Sequence, residues 1–266
     1  MSVAASSSAC SPASASSPSA PAGRNRFGGM SIASNLAAIH ERIERACEGA
    51  GRDPGEVRLL PVSKTKPPEA LLEAYAAGER IFGENKVQEA QAKAEELADT
   101  DIRWAVIGHL QTNKAKNLAR FAHEFHALDS LKVATELEKR LQAEGRGLDV
   151  FIQVNSSAEP QKFGLAPEDV AAFAAELGSF DALNVRGLMT LAVFSTHPDE
   201  VRPCFERMQQ LQRRLRDDDR AAGSYDELSM GMSGDFELAI AYGATTVRVG
   251  QAIFGARLDP NQYWPG

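Results

Sequence analysis

The chain has 266 residues, a net charge of −7, 43% hydrophobic residues and 24% charged residues. This length suits two small domains or one α/β barrel of about 250 residues. The negative charge argues against a nucleic-acid-binding protein, which needs basic residues to neutralise phosphates. We also expect no membrane span, because no apolar run approaches about 20 residues. Three widely separated cysteines predict a reducing compartment and no disulfide framework.

The first residues differ in character from the rest, since positions 2–22 consist almost entirely of Ser, Ala and Pro. This composition cannot build a core, so we predict a disordered extension over residues 1–30. A transit peptide and a true start at Met30 remain open alternatives, whereas a secretory signal is excluded by the missing apolar stretch. We expect one folded domain over 31–258, a tail at 259–266, and a cytoplasmic protein unless the extension targets an organelle.

Helical and strand patterns alternate after this extension. A first helix is predicted from a Ser34 cap to about residue 50. Strand patterns follow at 57–62, 80–82, 103–107, 124–128, 149–154, 184–189, 226–230 and 246–249. Helical patterns separate them at 68–77, 87–98, 113–121, 131–143, 167–177, 198–216 and 235–241. The alternation predicts a single α/β (β/α)8 TIM barrel with an extra N-terminal helix; the alternative, a doubly wound sheet, would need a Gly-x-Gly-x-x-Gly fingerprint that this sequence does not contain.

Lys64 follows the first of these predicted strands. A lysine there can point into solvent, or it can lie in a cavity where burial lowers the pKa of its amine and lets it attack a carbonyl. In α/β barrels the functional groups gather at the C-terminal ends of the strands. Polar and glycine residues recur at these predicted ends, at 83–85, 108–109, 155, 189–190, 230–235 and 250–251. We therefore predict a pocket at this end of the barrel.

A phosphate site is predicted from the last two strand ends. Ser233 is placed to cap a helix opening near Asp235, where exposed backbone N–H groups would bind an anion. Arg248 and Gly250 end the eighth strand, and loops after strands seven and eight of α/β barrels often bind phosphate together. Arg248 would add charged donors. A phosphate grip opposite Lys64 suggests a phosphorylated aldehyde, with pyridoxal 5′-phosphate held as a Schiff base as the main candidate.

Several motifs in this chain resemble the pyridoxal phosphate homeostasis protein family. They lie in order along most of the predicted strands and are Ser63-Lys64-Thr65-Lys66-Pro67, Phe82-Gly83-Glu84-Asn85, the segment 108–114, Arg186-Gly187-Leu188-Met189-Thr190 and the two loops just described. The resemblance extends from about residue 32 to residue 257. It implies a barrel like the N-terminal domain of alanine racemase, with pyridoxal 5′-phosphate on Lys64.

The same resemblance implies roles for individual residues. Asn85 would line the cofactor, and Arg248 would pair with the phosphate or with the pyridine nitrogen. Three residues would contact the phosphate, namely Ser233, Gly250 and Gln251. The family usually has Ser or Thr at the position of Gln251, so a backbone contact would survive the change there and a hydroxyl contact would not.

Two functions follow from the resemblance and remain in competition. The first is intracellular homeostasis of vitamin B6, in which the protein buffers or delivers the cofactor, with pyridoxal-phosphate-dependent apo-enzymes as candidate recipients. The second is a small amino-acid racemase. Racemisation needs an acid/base group on each face of the substrate. In barrel racemases the second is a tyrosine from an added β domain, for which we expect no room here. None of the four tyrosines lies at a predicted strand end that faces the pocket; they are Tyr75, Tyr225, Tyr242 and Tyr263. We therefore predict a non-enzymatic carrier, as a monomer or weak homodimer.

Histidines offer a weaker alternative. His123 and His126 flank Glu124 and invite a metal interpretation, but no third ligand is near in sequence, so no metal is predicted. His109 lies at the predicted pocket rim, where it could transfer protons or remain a neutral rim residue.

Overall fold

The centre of the fold is a ring of parallel strands in a computed structural model that describes residues 31–256. The extension predicted over 1–30 and the tail predicted over 259–266 lie outside the described residues, so the domain boundaries stay predictions. The strands in chain order are β1 (Arg58–Pro61), β2 (Ile81–Glu84), β3 (Arg103–Val106), β4 (Glu124–Leu128), β5 (Leu148–Val154), β6 (Leu183–Thr190), β7 (Glu227–Ser229) and β8 (Thr246–Val249).

The strands pair in the order β1-β8-β7-β6-β5-β4-β3-β2, and each of these ladders is parallel. Between β1 and β2 the ring is completed by a single bridge, Val62 to Gly83. The Ser63 N–H adds a hydrogen bond of 3.0 Å to the Gly83 carbonyl beside that bridge. The predicted (β/α)8 barrel is thus confirmed, and the joint between β1 and β2 is sparsely paired.

Helices surround the strands. They are α1 (Ile32–Gly49), α2 (Pro68–Ala76), α3 (Val87–Glu96), α4 (Ala115–Phe121), α5 (Leu131–Glu144), α6 (Val170–Glu176), α7 (Pro198–Arg216), α8 (Phe236–Ala241) and α9 (Gln251–Phe254). The extra helix α1 is present, but the expected cap at Ser34 is wrong, because the helix already begins at Ile32. The Ile32 N–H is satisfied from outside the helix by the Glu73 carboxylate at 2.8 Å. The four-residue helix α9 was not predicted.

The apolar core lies between the helices and the outer face of the strand ring. On α1 its buried residues recur at helical spacing, at Leu36, Ile39, Ile43 and Cys47. All five residues of β4 are buried, which is the pattern of a parallel strand covered on both faces. Among residues 31–256, no helix is long and apolar enough to cross a membrane.

Candidate functional site

The residues predicted to form the site lie at the C-terminal ends of β1, β2, β7 and β8. Lys64 is half-buried in the turn that follows β1, and Asn85 is exposed directly after β2. Ser233 is half-buried in the loop between β7 and α8. Arg248 lies within β8 itself, Gly250 follows that strand, and Gln251 is the first residue of α9.

The loop after β8 lies directly against the end of β1. The Val62 N–H donates to the Val249 carbonyl at 2.8 Å. A Cβ placed on Gly250 would be 2.9 Å from the Val62 carbonyl oxygen. Only glycine allows this close approach without a shift of the backbone. Lys64 follows Val62 by two residues, so its turn begins beside the Gly250 loop.

Several backbone N–H groups that follow β7 and β8 have no backbone partner. Within residues 31–256, no backbone hydrogen bond uses the N–H of the loop residues Ser233, Gly234 and Gly250. The same holds for Gln251 and Ala252, the first two residues of α9. The two loops are neighbours because β7 pairs with β8 through Ser229 and Thr246. Unpaired N–H groups from adjacent loops are donors that suit an anion.

The expected capping role of Ser233 is wrong. Asp235 occupies the N-cap position of α8, although its side chain makes no capping hydrogen bond. The Asp235 carboxylate instead accepts from the Met232 N–H at 2.5 Å, which holds the loop in place. Burial raises the pKa of Asp235 above its ordinary value. The loop is therefore shaped by Asp235, and the Ser233 hydroxyl is not used as a cap.

Arg248 is held inside the barrel by two hydrogen bonds. Nη1 donates to Ser229 Oγ at 2.7 Å, and Nη2 donates to the Thr190 carbonyl at 2.6 Å. The side chain is only 3% exposed. Burial lowers the pKa of Arg248 to about 10, so the guanidinium remains a cation at neutral pH. It forms a fixed positive group below the C-terminal rim.

A chain of buried polar groups continues from Arg248 into the barrel. Ser229 Oγ lies 2.9 Å from His126 Nδ1, and His126 Nε2 lies 2.8 Å from Glu124 Oε2. Burial lowers the pKa of His126, so the ring is neutral at neutral pH. A neutral ring facing a carboxylate carries its proton on Nε2. Ser229 therefore donates to Nδ1 while it accepts from Arg248.

The chain ends at a charged pair near the opposite end of the barrel. Arg58, the first residue of β1, donates to both oxygens of Glu124, the first residue of β4, at 2.7 and 2.8 Å. Burial alone would raise the pKa of Glu124, but hydrogen bonds from His126 and Arg58 outweigh it and hold that pKa well below its ordinary value. Glu124 is therefore a carboxylate, and the polar chain runs from the rim to the base of the barrel.

This arrangement gives the histidines a structural role. His126 already has Ser229 and Glu124 as partners, and His123 Nδ1 accepts from the Trp104 N–H at 3.2 Å. Residues 31–256 contain no group of three potential metal ligands. The sequence signal for the polar chain is period two in β4, because Glu124 and His126 lie on the same face of that strand.

A second buried cluster lies beside the Lys64 turn. Ser63 Oγ donates to Glu84 Oε1 at 2.6 Å, and the buried Lys93 Nζ donates to the same oxygen at 2.6 Å. Burial is the main cause that raises the pKa of Glu84, to about 7, although Lys93 opposes the shift. Lys93 was not predicted to belong to the site. Its signal was position, because Lys93 continues the buried stripe of Val87 and Ala90 on α3.

Other rim residues hold loops together. Lys162 Nζ donates to the Ala192 carbonyl at 2.9 Å and pairs with Glu159, so it connects the loops after β5 and β6. The His109 ring stacks on Phe163 with centroids 4.2 Å apart. The tyrosines of the described chain lie elsewhere, in α2, after α8 and before β7, as Tyr75, Tyr242 and Tyr225.

Two cavities lie at the other end of the barrel. One of about 390 Å³ is lined by residues at the starts of β5 and β6, including Asp149 and Asn184. Another of about 600 Å³ is lined by Arg58 and Glu227 at the starts of β1 and β7. Because α/β barrels place their chemistry at the C-terminal ends of the strands, we assign the candidate site to the rim that carries Lys64.

The donors at this rim fit a phosphorylated aldehyde. The amine of Lys64 would be the nucleophile, the amides of the β7 and β8 loops suit a phosphate, and Arg248 supplies a buried cation. Gly250 leaves open the space that a side chain would fill against Val62. The residues present are therefore chemically compatible with pyridoxal 5′-phosphate.

Comparisons with known proteins agree with this geometry. A family model described as alanine racemase, N-terminal domain, matches residues 34–258. The chain is 44% identical over 226 residues to a pyridoxal phosphate homeostasis protein of Pseudomonas aeruginosa, covering 85% of this chain and 96% of that protein. It is 41% identical over 228 residues to the protein of the same name from Aquifex aeolicus, covering 86% and 99%.

Solved structures give the same result. The structure of PipY from Synechococcus elongatus with pyridoxal phosphate bound matches with a TM-score of 0.74 and 36% identity, covering 84% of this chain and all of that chain. A protein from Bifidobacterium adolescentis matches with a TM-score of 0.80, 34% identity and coverage of 84% and 94%. Alanine racemase from Streptomyces coelicolor shares the fold, with a TM-score of 0.64, 18% identity, and coverage of 85% of this chain and 60% of the racemase.

Proposed function

This chain belongs to the pyridoxal phosphate homeostasis protein family, and from that premise we propose that it binds pyridoxal 5′-phosphate through Lys64 to buffer or deliver this cofactor. The carrying observation is the approach of the Gly250 loop to the end of β1, with a Cβ position 2.9 Å from the Val62 carbonyl. That approach sets the amide-rich loops beside the turn of Lys64. When bound, the cofactor supplies an aldehyde that a lysine amine can attack to form a Schiff base.

Each proposed contact uses a different property of the chain. The N–H groups around Ser233, Gly250 and Gln251 would bind the phosphate, and for Gln251 the contact would be through the backbone. Asn85, exposed after β2, would line the cofactor. Its main chain is fixed in position, because Gly108 passes beneath it so closely that a Cβ there would be 2.2 Å from the Asn85 carbonyl oxygen.

We assign Arg248 to the pyridine nitrogen. It is buried below the rim and bonded to Ser229 and Thr190, whereas the free amides proposed for the phosphate lie in the loops above. A guanidinium that stays protonated donates to the ring nitrogen and so disfavours its protonation. An unprotonated ring is a weaker electron sink, and this favours a carrier over an enzyme that stabilises carbanions.

A racemase-like enzyme is the competing function. The family's name describes homeostasis of the cofactor and not a catalysed reaction. Racemisation requires a second acid/base group opposite the lysine. Within residues 31–256, no tyrosine lies at the C-terminal end of a strand. We therefore propose a non-enzymatic protein, for which deuterium exchange at Cα of common amino acids should stay at the background rate; rapid exchange that depends on Lys64 would instead support the enzyme.

The decisive experiment is spectroscopic. Protein loaded with pyridoxal 5′-phosphate should be yellow, borohydride should bleach the band, and peptide mapping should find the reduced adduct on Lys64. Lys64→Ala should lose the band, whereas the nearby exposed variant Lys86→Ala should keep it. An adduct on another lysine, or a band that survives in Lys64→Ala, would remove the assignment.

The remaining proposals concern partners. We propose pyridoxal-phosphate-dependent apo-enzymes as recipients, a monomer or weak homodimer as the working form, and the cytoplasm as the location. Direct transfer would activate a recipient apo-enzyme even when a scavenger removes free cofactor from solution. Sedimentation analysis over a range of protein concentrations would measure the oligomeric state, and cell fractionation would test the location.

A further inference from the structure

Lys93 is a buried lysine with a complete set of partners. Its side chain is 0% exposed, and Nζ donates to the Ser63 carbonyl at 2.9 Å, to Glu84 Oε1 at 2.6 Å and to Glu89 Oε1 at 2.8 Å. An ammonium has three donors, and here each has an oxygen acceptor. Burying a cation costs several kcal/mol unless such partners offset the loss of water. The buried cluster of Ser63, Glu84 and Glu89 is therefore organised around the Lys93 amine.

The acceptors of Lys93 hold the residues on both sides of Lys64. One is the carbonyl of Ser63, whose hydroxyl also donates to Glu84 at 2.6 Å. Another is Glu89, which also accepts from the Thr65 N–H at 2.5 Å. The residues immediately before and after Lys64 are thus fixed by the same buried cluster.

The turn that contains Lys64 has a strained backbone at Thr65. Thr65 has a φ of 62°, in the left-handed region that β-branched residues rarely adopt. Its Oγ1 is buried and has no hydrogen-bond partner among the described residues. Such a backbone costs of order 1–3 kcal/mol and persists only where its surroundings hold it. The charge-assisted bond from the Thr65 N–H to Glu89 provides that constraint.

The cluster also crosses the sparsely paired joint between β1 and β2. Beside the single bridge from Val62 to Gly83, the links between β1 and β2 at the rim include the Ser63 N–H to Gly83 and the Ser63 hydroxyl to Glu84. Lys93 adds a bond from α3 to each side of this joint, through the Ser63 carbonyl and Glu84. At this joint, side-chain hydrogen bonds therefore supplement the sparse backbone pairing of β1 and β2.

We propose that Lys93 is a positioning residue for Lys64, which fixes the turn through Ser63, Glu84 and Glu89 so that the amine is held ready to attack an aldehyde. The proposal rests on the proposed function, in which Lys64 carries the cofactor. It differs from a purely structural role, for which a buried ion cluster is often replaceable by apolar residues at little loss. Here the bonds converge on the main chain at 63 and 65, so their loss would change where Lys64 points.

The test compares Lys93→Met with Leu141→Ala, a variant of the buried face of α5 that should lower stability without touching the turn. For Lys93→Met, attachment of pyridoxal 5′-phosphate should slow by about tenfold or more with an altered pH profile, because a misplacement of about 1 Å can cost about 100-fold in rate. Leu141→Ala should keep the wild-type rate and profile. Attachment at the wild-type rate and profile in folded Lys93→Met would overturn the proposal.

Two readouts need no cofactor. Amide exchange at Thr65 should become faster, and the acetylation rate of Lys64 relative to the other lysines should change. Should Lys93→Met fail to fold, Glu89→Ala removes the acceptor of Thr65 while Lys93 keeps Ser63 and Glu84, and the same changes should appear in smaller measure. If wild-type Lys64 forms no adduct at all, the proposed function fails, while unchanged exchange and acetylation in both variants would contradict the role of Lys93 separately.

Discussion

Arg248 and Ser229 are joined by a hydrogen bond of 2.7 Å inside the barrel, and Ser229 in turn bonds to His126. Through this serine the cation proposed for the cofactor ring is continuous with the pair formed by Glu124 and Arg58. The guanidinium thus has a fixed direction before any ligand binds, which lowers the conformational entropy lost on binding.

Arg248→Ala should weaken retention of pyridoxal 5′-phosphate by about 10- to 150-fold, which corresponds to the 1.5–3 kcal/mol of a charge-assisted hydrogen bond. The dissociation constant can be measured by equilibrium dialysis of protein that has been loaded with pyridoxal 5′-phosphate and not treated with borohydride. Arg213→Ala, in the exposed part of α7, serves as the control and should bind normally. Unchanged affinity in folded Arg248→Ala would place this arginine outside the site.

Gly250→Ala should lower cofactor affinity because the new Cβ would meet the Val62 carbonyl at 2.9 Å and displace the loop. Overpacking of this kind typically costs about 1–3 kcal/mol. Gly49→Ala, at the end of α1 with no atom within 4 Å of the added Cβ, is the matched control and should change neither affinity nor stability by much. If the Gly250 variant binds like wild type, the approach of the two loops does not matter for binding.

His126 should make the protein less stable in mild acid. Burial lowers its folded-state pKa below the ordinary value of 6.5, so the unfolded chain binds more protons below about pH 6.5. Its contribution to stability is therefore present above pH 6.5 and is lost as the pH falls below it. Chemical denaturation from pH 7.5 to 5 should show a steeper loss for wild type than for His126→Gln, while exposed His197→Gln should follow wild type. Parallel curves would contradict this.

Glu84 should lower the stability of the protein as the pH rises, the opposite of the effect of His126. Its folded-state pKa is raised to about 7 from an ordinary value of 4.5, mainly by burial. The folded protein therefore binds more protons between these values, and the contribution of Glu84 to stability, complete below pH 4.5, is lost as the pH rises to about 7. The free energy of unfolding of wild type relative to Glu84→Gln should fall across this window. Exposed Glu96→Gln is the control, and a flat difference for Glu84→Gln would place its pKa near the ordinary value.

The barrel and the position of Lys64 were predictable because they depend on local patterns. Each strand appeared as a short apolar run, and the start of β8 at Thr246 and the end of α7 at Arg216 agree with the predicted bounds. Strand ends in such a barrel share one rim, so Lys64 and Gly250 could be assigned to the same end from sequence. The family resemblance then predicted that residues at these strand ends bind pyridoxal 5′-phosphate.

The polar interior was not predictable in the same way. Whether Glu124 meets Arg58 depends on which side chains face each other across the barrel, and no local periodicity contains that information. The cap of α8 was assigned to Ser233 from residue preference, whereas the loop geometry selected Asp235. Lys93 was not predicted to be part of the site, because lysines are rarely buried and only its position on the apolar stripe of α3 indicated burial.

The sparse pairing of β1 with β2 has a consequence for how the protein opens. Native proteins unfold first in segments with few main-chain bonds, at free energies far below that of global unfolding. Here such a segment includes the joint at Val62 and Gly83, two residues before the proposed attachment point. Opening of that joint would free the turn while the ladders from β2 round to β8 stay intact. In a carrier of the proposed kind, such an opening would release the cofactor while the rest of the structure stays folded.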